Sequence, residues 1–345
     1  MGKRKHVIIL GNGFDKYLNR PTSYAEFYDS EYCPKRYPAP LIHFLNDFSI
    51  GGQAAGRRWY DFENHLLAYL KSKDFKKSTL SKEDIDIINY IKSKSIPLSP
   101  SELVFRTPIR DYYDAFKPFL DKGYIKPAKD GKKYVLAFDK FDEEPIMRDL
   151  YAFSYIKQGL ISYLNENVSN EVENDILRDL LTNKNVEIYT FNYTKVPFAD
   201  AEKVHYVHGS CVDNNIILGT REEKDIDEFY RYFQKAFDPK YRPAYVLSDL
   251  LDAERVTIFG HSLGENDSQY FEYFFKRQCD SKQAKKIPIV IFTKDQQTVM
   301  DIKYSLQVLT DYRLSYLYQN SKLVIVPIEN VSESKLRSFL QIVNK

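Results

Sequence analysis

The chain has 345 residues, with 50 Lys and Arg set against 48 Asp and Glu for a formal net charge of +2, and three cysteines. That length suits one large α/β domain with an insertion, or two modest domains, and the near-neutral balance gives no global field to recruit nucleic acid or an anionic membrane. Cys33, Cys211 and Cys279 lie far apart, which excludes a disulfide framework and a thiolate zinc site and suits a reducing cytoplasm.

Val7-Ile-Ile-Leu10 is a short continuous apolar run, read as a strand buried on both faces. It is too short for a secretion signal or a membrane span, and His6 stands where a myristoylation signal needs Ser or Thr, so a soluble, cytoplasmic protein is expected. The run leads into Gly11-Asn12-Gly13-Phe14-Asp15, a glycine turn that lets backbone N–H groups approach a pyrophosphate at the start of the next helix. Lys16 replaces the third glycine of the dinucleotide fingerprint, so the turn is not of the ordinary dehydrogenase type.

Thr22 or Ser23 caps a helix carrying Tyr24, Phe27 and Tyr28. From about Tyr32 to Asp149, prolines at 34, 38 and 40 and lysine-rich stretches such as Lys71 to Lys77 mark a mainly helical insertion, residues 32–150, that reads as a lid. Trp59 to Leu70 has helical periodicity, and Ser78 to Pro100 is polar. Trp59, Asp61 and Glu63 read as a helix start with an aromatic anchor, or as part of the lid.

After Tyr151 a long amphipathic helix leads to strand Val186 to Phe191, ending in Asn192-Tyr-Thr194. Further strands are expected at Val204 to Val207, ending at His208-Gly209; at Asn215 to Leu218; at Arg255 to Phe259, ending at Gly260-His261-Ser262-Leu-Gly264; at Ile287 to Phe292; and at Leu323 to Val326. Alternating strands and helices predict an α/β domain, residues 1–31 and 151–345, built on a doubly wound, mostly parallel sheet. Ligands of such sheets sit beyond the carboxyl ends of the strands, where all these polar clusters fall.

Gly260-His-Ser262-Leu-Gly264 matches the nucleophile elbow of α/β-hydrolases, but none of the six histidines follows the serine, so the triad cannot form in the usual chain order. Ser262 is better read as a loop hydroxyl contacting phosphate or ribose, with a serine hydrolase kept as a third reading. Asn192 and His208 are the strongest pair: the imidazole can act as base or polarise a ribose hydroxyl, and the amide can hold a water or hydroxyl. Taken alone, each reads better as a structural residue, His208 bonded to a turn and Asn192 as an ordinary loop residue; together with two glycine turns in the same crevice they favour the site. His205 and His208 fall on opposite strand faces, so no metal is expected. Asp15 either contacts a ribose hydroxyl or caps a helix, and Asp267 likewise has a cap as its plain reading.

Gly11 to Asp15, Pro21-Thr-Ser-Tyr24, Phe27, Trp59, Glu63, Phe191-Asn-Tyr-Thr194, His208-Gly209 and Gly260 to Asp267 together resemble the AbiH family of bacteriophage abortive-infection proteins. That family is in turn similar to the sirtuin-like NAD-binding fold, whose glycine turn, T-x-N-x-D cluster, H-G pair and G-T-S-L loop are followed here in order. Thr194 replaces the aspartate, Asn12 replaces the small residue of the turn, and no four-cysteine module is present. The resemblance implies NAD binding rather than protein deacylation, with Asn192 and His208 as catalytic residues of an NAD glycohydrolase. Gly11, Asn12, Gly13, Phe14, Asp15, Thr190, Gly209, Gly260, His261, Ser262 and Asp267 then form the nucleotide-binding set. A non-catalytic sensor of NAD or ADP-ribose is the alternative, and a nucleotide, a phage-encoded trigger and a homo-oligomer are the partners to test.

Overall fold

The computed structural model describes residues 5–50, 61–72, 95–99, 102–105, 125–127, 134–136, 145–169, 171–183, 185–226, 228–242, 245–329 and 331–342. In chain order the elements are β1 (His6–Leu10), α1 (Asn12–Tyr17), α2 (Tyr24–Asp29), α3 (Pro40–Ile50), α4 (Phe62–Lys71), β2 (Ser95–Ser99), β3 (Glu102–Phe105), β4 (Ile125–Pro127) and β5 (Tyr134–Leu136). There follow α5 (Pro145–Asn167), α6 (Asp175–Leu181), β6 (Val186–Thr190), β7 (Val204–Tyr206), α7 (Val246–Asp252), β8 (Arg255–Phe259) and α8 (Glu272–Gln278). The chain closes with β9 (Pro288–Thr293), α9 (Gln296–Leu309), α10 (Leu314–Asn320), β10 (Lys322–Pro327) and α11 (Glu333–Ile342). Among the described residues no helix is long and apolar enough to cross a membrane.

Two compact units result, one of Met1–Glu26, Ile161–Ile217 and Lys240–Lys345, the other of Phe27–Leu160 and Leu218–Pro239. The first holds an all-parallel six-stranded sheet in the order β10-β9-β8-β1-β6-β7. Counted along this unit alone, that is the 3-2-1-4-5-6 order of doubly wound nucleotide-binding sheets, with its switch point between β1 and β8. Every residue of β1 is buried because helices cover both faces. Val7 and Ile9 pack with Val246 and Leu250 of α7, Phe274 and Phe275 of α8, and Ile302 and Leu306 of α9. Ile8 and Leu10, pointing the other way by strand alternation, pack with Phe14, with Ile176 and Leu177 of α6, and with Leu336 of α11.

The helix expected after Thr22 or Ser23 is α2, and a reciprocal box starts it: Glu26 N–H donates to Ser23 Oγ (3.3 Å) and Ser23 N–H to Glu26 Oε2 (2.9 Å). The strand expected at 215–218 is not formed. Ile217 N–H instead donates to His208 O (2.7 Å), so this buried apolar segment completes the loop after β7 rather than a ladder.

In the second unit α4 starts at Asp61, whose side chain accepts from Asn64 N–H (3.4 Å), and Glu63 pairs with Lys235 (2.9 Å). Trp59 and residues 73–94 lie outside the described residues. Besides its helices this unit carries an antiparallel sheet, β2-β3-β5-β4, that the polar sequence did not announce. Asp149 of α5 is fully buried and accepts from Leu41 N–H (2.8 Å), Tyr230 Oη (3.3 Å) and Tyr69 Oη, fastening three elements to one carboxylate.

Candidate functional site

Four loops leave the carboxyl ends of β1, β6, β7 and β8, and backbone bonds extend the ladder into them: Phe191 N–H donates to Leu10 O (2.9 Å), Val207 N–H to Thr190 O (2.9 Å) and Gly11 N–H to Phe259 O (3.0 Å). At the switch point the β1 and β8 loops touch backbone to backbone. Gly13 N–H donates to Gly260 O (2.9 Å), and a Cβ on Gly13 would lie 2.7 Å from Gly260 Cα. Gly260 itself has φ +66°, and a Cβ there would lie 2.3 Å from Phe14 N. These glycines are therefore required by loop packing. With the amides of Gly11 and Gly13 committed, what the turn presents outward is the exposed Asn12, whose Oδ1 accepts from Thr22 Oγ1 (2.6 Å).

Asn192 joins the β6 loop to β1, donating from Nδ2 to Gly11 O (3.0 Å), while its own N–H donates to Thr190 Oγ1 (3.1 Å). His208 leaves β7 just before Gly209, which has φ +72°. Its Nε2 lies 2.9 Å from Asp267 Oδ1, and Asp267 Oδ2 lies 3.5 Å from Nε2 of His261. Because a carboxylate only accepts, His208 Nε2 carries the proton and Nδ1 is the basic nitrogen of the neutral ring. Phe191 meets both imidazoles edge-on, at centroid distances of 5.3 Å to His208 and 4.4 Å to His261. The structure thus gathers Gly11, Asn12, Gly13, Asn192, His208, Gly209, Gly260, His261 and Asp267 at one end of the sheet. Asp267 lies within a 3-10 helix, Glu265–Tyr270, and serves the two histidines.

Three expected site residues sit inside the fold. Phe14 is buried edge-on against Phe259 (5.5 Å), and Thr190 is buried under Asn192. Asp15 lies within α1 and does not cap it: Arg20 Nη1 donates to Asp15 Oδ1 (2.9 Å) and Thr194 Oγ1 to Asp15 Oδ2 (2.6 Å). Burial pushes the Asp15 carboxyl up, against the pull of Thr194 and Arg20. Arg20 also donates to Lys195 O (3.0 Å), so this ion pair ties α1 to the β6 loop. Nothing in sequence spacing marked Arg20, since five residues along is not a helix-face neighbour.

Ser262 is exposed, and the histidines beside it turn elsewhere: His261 Nδ1 accepts from Leu263 N–H (3.0 Å), and both Nε2 atoms face Asp267. No serine–histidine bond forms among the described residues, which removes support for the serine hydrolase. His205 is turned to Glu187 (3.0 Å) and stacks on Tyr189. No group of three or more His, Cys, Asp or Glu among the described residues is placed to hold a metal ion. A cavity of about 680 Å³ is lined by Tyr17, Asn174, Ile176, Arg178, Ile328 and Leu336 among others, and none of the expected site residues borders it.

No curated protein and no solved structure matches the chain. A family model described as "Bacteriophage abortive infection AbiH" matches residues 7–289, a span that begins in β1, ends in β9 and contains all four loops. The chain belongs to the AbiH family of bacteriophage abortive-infection proteins.

Proposed function

We propose that this protein serves abortive infection by binding NAD and hydrolysing it to nicotinamide and ADP-ribose, so that infection triggers loss of the host's NAD. The observation that carries the reading is the convergence of Asn192 and the Asp267-bound imidazole of His208 on the loops around the switch point, where doubly wound sheets take nucleotides. Glycosidic cleavage passes through an oxocarbenium-like state, so the protein must orient the ribose, exclude bulk water and admit one nucleophile. Asn192 orients the nicotinamide ribose or the water, and His208 Nδ1 takes the nucleophile's proton. Asn12 and the β8 loop with Ser262 hold the remainder of the dinucleotide.

Asn192 is 8% exposed and His208 3% exposed, and the Asn192 amide is committed to Gly11 O. That closure suits an enzyme silent until a phage-derived trigger parts the loops. It also favours a second reading, a non-catalytic sensor of NAD or ADP-ribose whose output is assembly into a homo-oligomer. Incubation with NAD, with and without phage lysate, followed by chromatography for nicotinamide and ADP-ribose separates the two. Release that is lost in Asn192→Ala and His208→Ala is the expected result. NAD-dependent thermal stabilisation without release under either condition refutes the enzyme and leaves the sensor, and absence of both refutes the nucleotide site.

A further inference from the structure

Helix α9 is apolar on two sides. Val299, Ile302, Leu306 and Leu309 are buried, and the last three join the core that holds Val7 and Ile9 of β1. The opposite side carries Met300, Tyr304 and Val308, spaced four residues apart and therefore in one row, and all three are exposed, Met300 by 59% and Tyr304 by 65%. A helix that is apolar all round is ordinarily buried all round, so this outer row has the character of a surface that a partner covers. The turn after the helix extends it. Asp311 N–H donates to Val308 O (3.1 Å) and Tyr312 N–H to Gln307 O (2.7 Å), the Schellman pattern that closes a helix. That pattern normally takes glycine in the left-handed position, yet here Asp311 has φ +51° and Tyr312 φ +62°, a conformation unfavourable for any residue with a Cβ. The strained turn holds Tyr312 outward, 72% exposed, and Tyr316 of α10 is exposed beyond it.

We infer that this face is the contact between two copies of the chain, their α9 helices packed antiparallel about a two-fold axis at Tyr304. Area, symmetry and charge carry the inference, which is independent of the NAD reading. Taking about 200 Å² for a whole aromatic side chain, Met300, Tyr304, Val308, Tyr312 and Tyr316 together expose roughly 500 Å². A dimer of ordinary size buries about 800 Å² per chain, of which about 60% is apolar, so the face supplies the apolar share of one such contact. A two-fold contact must also match itself. With Tyr304 at the axis, Met300 of each copy lies level with Val308 of the other, and Tyr312 falls by the first turn of the other α9, whose exposed Gln296 and Gln297 are uncharged. Among the exposed residues of α9 only Asp301 is charged. Antiparallel pairing sets the two Asp301 about 9 Å apart along the helices, close to a Debye length, whereas parallel pairing would set them side by side.

Sedimentation of the full chain between about 1 and 100 μM reads the assembly, the range in which an interface of this size and no special hot spot should associate. Wild type should pass from one copy to two. Tyr304→Glu changes only an exposed side chain but sets two carboxylates together at the axis, and should weaken the dimer at least about a hundredfold. Cross-linking reads the geometry. Cys33, Cys211 and Cys279 are buried, so a cysteine placed on the row is the accessible thiol. Under mild oxidation Tyr304→Cys should form a disulfide dimer. Met300→Cys and Val308→Cys should not do so alone, because each pair of equivalent positions lies about 12 Å apart, whereas an equimolar mixture of the two should link. A wild type that stays monomeric at about 100 μM overturns the inference and leaves the face to a partner of other chemistry. A dimer that Tyr304→Glu leaves intact overturns it by placing the contact elsewhere, and self-linking of Met300→Cys as fast as the mixture overturns the antiparallel register. Should Tyr304→Glu not fold, the cross-links still decide. None of these readouts needs NAD, so an inert wild type would sink the glycohydrolase and leave the dimer to its own test.

Discussion

Replacing Gly260 with alanine tests whether the glycines at the switch point serve the fold. Its φ of +66° costs an alanine about 1 kcal/mol, and the new Cβ would lie 2.3 Å from Phe14 N and 2.5 Å from Gly13 Cα, both backbone atoms that no rotamer change can move. Overpacking of this kind costs about 1–3 kcal/mol, so Gly260→Ala should lose about 3 kcal/mol in all. Gly264 supplies an internal control four residues along, with φ −72° and Ser262 Oγ at 3.4 Å as the neighbour a Cβ would meet. Gly264→Ala should be neutral or stabilising by up to about 0.5 kcal/mol. Gly13→Ala presses on the same gap from the other side, at 2.7 Å from Gly260 Cα, so the double variant should lose less than the sum of the singles. Urea unfolding followed by circular dichroism measures the four variants against the wild type. A loss below about 1 kcal/mol in Gly260→Ala, or equal losses in Gly260→Ala and Gly264→Ala, would refute the packing argument and return the glycines to ligand approach alone.

Arg20→Leu strands Asp15 in the interior without its counter-charge and should cost about 3–5 kcal/mol in the same assay, whereas Arg20→Leu with Asp15→Leu should recover a large part of it. A double variant no more stable than the single would argue against the ion pair as the cause. Burial lifts the Asp149 carboxyl to about 6, against the pull of Tyr69, Leu41 and Tyr230. Its folded value thus exceeds the ordinary unfolded one of about 3.9, so its contribution is full below about pH 4 and fades as pH rises through 6, by roughly 3 kcal/mol. His6, buried near Arg255, is lowered to about 3, which has the opposite sign: its contribution is full above about pH 6.5 and fades as pH falls toward 3. The two slopes oppose each other between about pH 4 and 6. Asp149→Asn should therefore steepen the acid loss of stability there and His6→Gln should flatten it, and the same change in both would refute the assignments.

The sheet was legible because burial on both faces leaves β1 and β9 as nearly continuous apolar runs, and β6 and β8 as apolar runs interrupted only by Glu187 and Thr257, between helical periods. The same signal misled at 215–218, where burial comes from loop packing, and periodicity cannot separate a buried strand from a buried loop of four residues. Strands β2 to β5 are three to five residues long, too short to show alternation in a lysine-rich stretch. At the site, sequence located the glycines without their duty, since phosphate approach and backbone crossing demand the same missing side chain. Asp267 looked like a helix cap because a cap needs only local sequence, whereas its partner His208 lies 59 residues away.

The four loops are tied in series: Asn192 to Gly11, Gly13 to Gly260, and Asp267 to His208. Each tie crosses from one strand end to another, so a nucleotide or a trigger that parts the loops must break more than one. Two neutral bonds at about 1 kcal/mol each and one charge-assisted bond at about 2 kcal/mol put the opening near 4 kcal/mol, which would slow exchange of the Gly13 amide about a thousandfold. Native-state hydrogen exchange reads that amide directly. Asn192→Ala removes one tie and should speed its exchange roughly fivefold without a comparable change in the β9 amides, which pair with β10. Free-peptide exchange at Gly13 in the wild type would mean that the loops are not held shut. Protection near a thousandfold would set the demand on any trigger: to bring the open form to parity it must bind that form about a thousandfold more tightly than the closed one.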